Sequence, residues 1–131
     1  MSFEIALVAF AFVTLIYLFV ELAYTYRFFG LAYGWSSNRT SDKVLPPFGQ
    51  RIKNTFQNQV ESATYIVPVF AAAAITGLEH QGAELATAIV IGARALFGPL
   101  YYTGLPFARV PAWVVGWVAT AYIAVIVLMN A

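Results

Sequence analysis

Residues 5–24 read IALVAFAFVTLIYLFVELAY, with Glu21 the only charged residue in the run. At 1.5 Å per residue a helix of this length covers about 30 Å, the thickness of a bilayer's hydrocarbon core. The stretch therefore predicts a membrane-crossing helix over about 4–26. Its leader, Met1-Ser2-Phe3-Glu4, is acidic where a secretory signal would be positive, so the helix is expected to be retained. Outward from it runs a polar stretch from Arg27 to about Pro47, with Gly30, Gly34, Ser36, Ser37, Asn38 and the pair Pro46-Pro47. Residues of this kind break helices and predict an interfacial loop. A second helix is expected over about 47–77, with proline in its favoured first turn. Its ~30 residues would extend roughly 45 Å, so the first turns should protrude from the bilayer. A tight turn at Gly77–Gly82 leads to a third helix over about 84–103, and Gly104-Leu105-Pro106 closes it. A fourth, over about 111–129, is almost purely apolar.

The composition of the whole chain agrees. Of 131 residues, 61% are hydrophobic and 10% charged, and the mean hydropathy is +0.75. Soluble domains are nearer 45–50% apolar and about 25% charged. The expected fold class is all-α, an integral membrane four-helix bundle, with residues 1–131 forming a single four-span domain. A net charge of +1 excludes the broad basic surface that nucleic-acid binding needs. The absence of cysteine excludes disulfides, thiolate metal sites and a cysteine nucleophile, so any thiol chemistry must use a borrowed thiol. No metal site is expected, since His80 with Glu79 and Glu84 is a weak ligand set and reads as a solvated turn.

Six of the seven Lys/Arg residues lie between spans one and two (Arg27, Arg39, Lys43, Arg51, Lys53) or three and four (Arg109). The positive-inside rule then puts these loops in the cytoplasm and both termini on the other side. The seventh, Arg94, sits mid-span among Ile91, Ala93, Ala95, Leu96 and Phe97. A central arginine faces a bundle interior or a water-filled cavity. In the second span Arg51, Asn54, Asn58, Glu61, Tyr65 and Pro68 follow steps of three or four and form one polar stripe. Glu61 would lie inside the hydrocarbon near its cytoplasmic edge, costly unless paired, and Arg94 is the expected partner. Tyr101 is two turns beyond Arg94 and should project into the same cavity. Pro68 and Pro99 are expected to kink their helices.

Two motifs resemble the MAPEG family, the membrane-associated proteins in eicosanoid and glutathione metabolism. Residues 51–62, RIKNTFQNQVES, are similar to its pattern Arg-Ala-x-x-Asn-x-x-Glu, with Asn58 and Glu61 in the second half. Residues 94–113, RALFGPLYYTGLPFARVPAW, resemble bacterial members. The chain departs from the pattern at Asn54, where the family usually has arginine, and at Thr55, where it has alanine. The resemblance implies a homotrimer of four-helix protomers, in a bacterial inner membrane, binding glutathione as co-substrate in cytoplasm-facing sites between subunits. It implies a glutathione-dependent transferase or peroxidase acting on a lipophilic small molecule that enters from the bilayer. Asn58, Glu61 and Arg94 correspond to binding positions, and Tyr101 and Arg109 to catalytic ones. Arg51 is added as a further ligand because three arginines complement an anion with two carboxylates. Two other readings stand beside this one. Glu21 would be the membrane carboxylate of a small four-helix proton-coupled multidrug exporter, although a buried Arg94 would repel a cationic cargo. The chain could also be a catalytically silent, structural member of the family.

Overall fold

The computed structural model describes residues 1–37 and 44–131. Asn38, Arg39 and Lys43 of the expected first loop lie outside the described residues. The chain forms α1 (Phe3–Phe29), α2 (Leu31–Trp35), α3 (Pro47–Ile75), α4 (Gln81–Tyr102) and α5 (Val110–Met129), and no strand occurs among the described residues. Helices α3 and α5 lie within two residues of the expected bounds, α1 runs three residues further and α4 starts three residues earlier, and α2 is an addition inside the stretch read as loop. Gly30, at φ 88°, separates α2 from α1 by a conformation that residues with a Cβ rarely adopt.

Local chemistry sets the other boundaries. Ser2 Oγ accepts from the Ile5 N–H at 3.4 Å and starts α1. His80 is an N-cap rather than a solvated turn residue: its Nδ1 accepts from the Ala83 N–H at 3.1 Å, so α4 begins earlier than expected. Among the described residues three helices, α1, α4 and α5, are long and apolar enough to cross a membrane, which makes the chain an integral membrane protein. Helix α3 has the length but carries Arg51, Lys53, Asn54, Gln57, Asn58, Gln59 and Glu61 in its first half. Large apolar side chains point outward, among them Phe12 and Phe19 on α1 and Val118 and Leu128 on α5. In water such surfaces would associate, whereas lipid covers them at no cost.

Helix α1 packs chiefly on α3, and α4 on α5. The interior has two halves. Towards the starts of α1 and α4 it is apolar, with Phe3, Ala6, Phe10, Ile66, Phe70, Ala73, Ala83, Ala86 and Val90 buried. The alanines allow close approach of helix backbones. Towards the α4–α5 connection it is polar, with Thr55, Gln59, Ser62 and Arg94 buried.

Tyr17 ties this second half together. Pro99 lacks an N–H and interrupts the α4 ladder, freeing the Ala95 carbonyl. The Tyr17 hydroxyl hydrogen-bonds the carbonyls of Arg94 and, at 3.1 Å, Ala95, and it accepts from the Gly98 N–H at 2.9 Å. Glycine at 98 is required by this contact, because a Cβ there would lie 2.2 Å from the Tyr17 ring. Tyr17→Phe leaves buried backbone groups without a partner, each costing about 1–3 kcal/mol. The expected result is a clear drop in melting temperature in detergent, and an unchanged melt would show that the break in the α4 ladder at Pro99 needs no such support.

Candidate functional site

A cleft of about 490 Å³ opens between α3, α4 and α5, within the size range of small-molecule sites. Helix α3 contributes Asn58, Glu61, Ser62 and Tyr65, α4 contributes Phe97, and Arg109, Val110, Trp113 and Trp117 come from the start of α5. Asn58, Ser62 and Tyr65 recur at three to four residues, so one face of α3 forms a wall. Trp113 and Trp117 are one turn apart on α5 and form the apolar side. The cleft thus joins a carboxylate, an amide and a guanidinium to a row of aromatic rings.

Arg109 is exposed and immediately precedes α5, where the helix N-terminus adds positive potential. Its Cζ lies 4.1 Å from the centroid of the Tyr101 ring, which in turn packs edge-on against Phe97 at 5.6 Å. Stacking of this kind holds a guanidinium flat and in place without neutralising it. Tyr101 is the shelf beneath Arg109.

Arg94 lies under the cleft floor and is 1% exposed. Its Nε donates to Gln59 Oε1 at 2.9 Å and its Nη2 to Asn58 Oδ1 at 3.0 Å, while its Cζ sits 4.5 Å from the Phe97 centroid. The expected buried pair between Glu61 and Arg94 is therefore not formed. Glu61 is exposed, and its Oε1 accepts from Gln57 Nε2 at 3.3 Å. The reason is angular: at about 100° per residue, Glu61 lies some 60° round α3 from Asn58, on the side away from Gln59. The depth agreed and the direction did not. Arg51 also departs from the expected common cavity. Its Nε donates to the Tyr102 carbonyl at 3.3 Å, near the Phe48 ring, and it is not among the cleft-lining residues.

Of the expected site residues, the structure brings Asn58, Glu61 and Arg109 to one cleft, sets Tyr101 and Arg94 directly behind it, and places Arg51 elsewhere. Sequence reasoning did not single out Gln59, Ser62 or the Trp113/Trp117 pair as site residues. The four-residue spacing of the two tryptophans was a readable signal. Gln59 had none, because it is one polar residue among many in that segment. Among the described residues no cluster of His, Asp and Glu could hold a metal ion. No curated protein and no solved structure gives a significant match to the chain. The MAPEG family profile matches residues 5–129, nearly the whole chain, and the protein belongs to the MAPEG family.

Proposed function

We propose that the cleft is a thiol-activating site that uses glutathione as co-substrate and transfers it to, or uses it to reduce, a lipophilic electrophile. What supports this is the pairing of Arg109, stacked on Tyr101 and in no ion pair among the described residues, with an aromatic row that continues along α5. A guanidinium beside a thiol favours the thiolate, and the α5 N-terminus acts in the same direction. Glu61 suits the ammonium of glutathione, and Asn58 one of its acceptor atoms. Trp113, Trp117 and Phe97 suit an apolar second substrate. With an aryl halide, the thiolate forms a carbon–sulfur bond as halide leaves, and the thiol proton passes to solvent. With a hydroperoxide, it takes the terminal oxygen as the alcohol leaves, and a second thiol converts the sulfenic acid to disulfide and water. Arg51 and Arg94 enter as supports, since one lies apart and the other beneath the floor. Glu21, on which an exporter would depend, does not line the cleft. A conjugation assay with a chromogenic aryl halide tests the reading: glutathione-dependent turnover supports it, and no turnover with no binding rejects it.

The working unit is proposed to be a homotrimer, with the number taken from the family. On α3 the residues Asn54, Gln57, Glu61 and Thr64 recur at three to four positions and are all exposed. A polar row on a helix of this length cannot face lipid, so neighbouring copies should cover it. Native mass spectrometry in detergent should give three chains, and a monomer or dimer would reject the trimer. The same proposal sets α3 as the fourth span, the Arg27 and Arg109 ends in the cytoplasm and both termini outside an inner membrane.

A further inference from the structure

The amide of Asn58 faces the cleft with a direction that the buried network behind it dictates. Arginine has only donors, so whichever amide atom meets it must be oxygen. Arg94 Nε is met by Gln59 Oε1, and Arg94 Nη2 by Asn58 Oδ1. Gln59 is fully buried and is fixed at its other end as well, because its Nε2 donates to Thr14 Oγ1 at 2.9 Å. Thr14 spends its own hydrogen on the Phe10 carbonyl at 2.9 Å. Arg94 donates both ways, outward to Asn58 and inward to Gln59, and from Gln59 the donation passes through Thr14 to the backbone of α1. With Oδ1 held inward, Asn58 has only its Nδ2 N–H group left for the cleft that it lines.

We propose that Gln59 and Arg94 are positioning residues that lock Asn58 as a hydrogen-bond donor in the cleft, so that this wall takes an acceptor atom of an anionic ligand. The inference rests on the glutathione reading and specifies how one wall of that site is set. Arg94 strengthens it, since both of its hydrogen-bond partners are neutral amides and its charge lies directly behind the donor. A ligand carboxylate, peptide carbonyl or sulfur anion fits here, and an ammonium does not.

Asn58→Asp is the direct test. The new carboxylate still accepts from Arg94, so the melting temperature should hold or rise, while the atom offered to the cleft changes from donor to acceptor. Glutathione affinity by titration calorimetry should fall about tenfold to a hundredfold, the worth of a hydrogen bond to a charged group. Gln59→Leu frees Arg94 and lets the Asn58 amide turn, so KM for glutathione should rise about tenfold with kcat nearly unchanged. Gln59→Glu, which still accepts from Arg94, should restore KM towards that of the unaltered protein, a rescue that covers the case in which the leucine variant folds poorly. If the unaltered protein binds glutathione and Asn58→Asp binds it equally well, the donor assignment is overturned while the glutathione reading stands. If the unaltered protein does not bind, both fall.

Discussion

Arg109→Ala is expected to lower turnover of glutathione with an aryl halide about a hundredfold while weakening glutathione binding only slightly. Preorganised donors at a developing or held anion are typically worth 10²–10³ in rate. Arg109 has the geometry for that role: exposed at the start of α5, stacked at 4.1 Å on Tyr101 and opening into the cleft. An interaction made mainly with the reacting sulfur shows in kcat, and one made with the rest of the ligand shows in KM. The thiolate's ultraviolet absorbance supplies an independent reading, since the unaltered protein should raise it on mixing with glutathione at neutral pH and the variant should not. Equal falls in affinity and rate would instead make Arg109 a simple anchor for a carboxylate. Tyr101→Leu should resemble a weaker version of Arg109→Ala, because it removes the shelf and leaves the charge.

The largest loss of stability is expected from Arg94→Ala. The substitution leaves the buried Gln59 oxygen without its donor, at about 1–3 kcal/mol, and releases the half-buried Asn58 amide to turn in the cleft. It also empties the space of the largest fully buried side chain among the described residues, beside Phe97 and Gly116. Together these should cost on the order of 3–5 kcal/mol, read as a large fall in melting temperature in detergent. Glu61→Ala should change stability little, because Glu61 is exposed and its partner is Gln57 on the same helix. Comparable losses from the two variants would restore the Glu61–Arg94 pair that the structure does not form.

The long helices were legible because each carries an apolar run and has a proline or glycine at one end or both. Helix α2 was not, since Gly30 and Gly34 both read as breakers, and only Gly30 acts as one. Arg94 was correctly expected inside, because no mid-span arginine can face lipid. Its partners were not legible, because depth follows from counting residues whereas direction depends on how two helices are turned towards each other. A shift of two positions, from Glu61 to Gln59, moves a side chain to nearly the opposite side of α3. Arg51 shares the stripe with Asn58, yet it bonds the Tyr102 carbonyl beyond the cleft. Tyr17 was hidden for another reason: its role exists only because Pro99 leaves α4 short of a hydrogen bond.

The central claim is that this cleft binds glutathione, and titration calorimetry of the detergent-purified protein with glutathione tests it most directly. The expected result is saturable binding below millimolar concentration, weakened by Asn58→Asp and largely kept in Arg109→Ala. No heat of binding up to millimolar glutathione would contradict it, and Asn54, standing where the family usually has arginine, would be the first substitution to reverse.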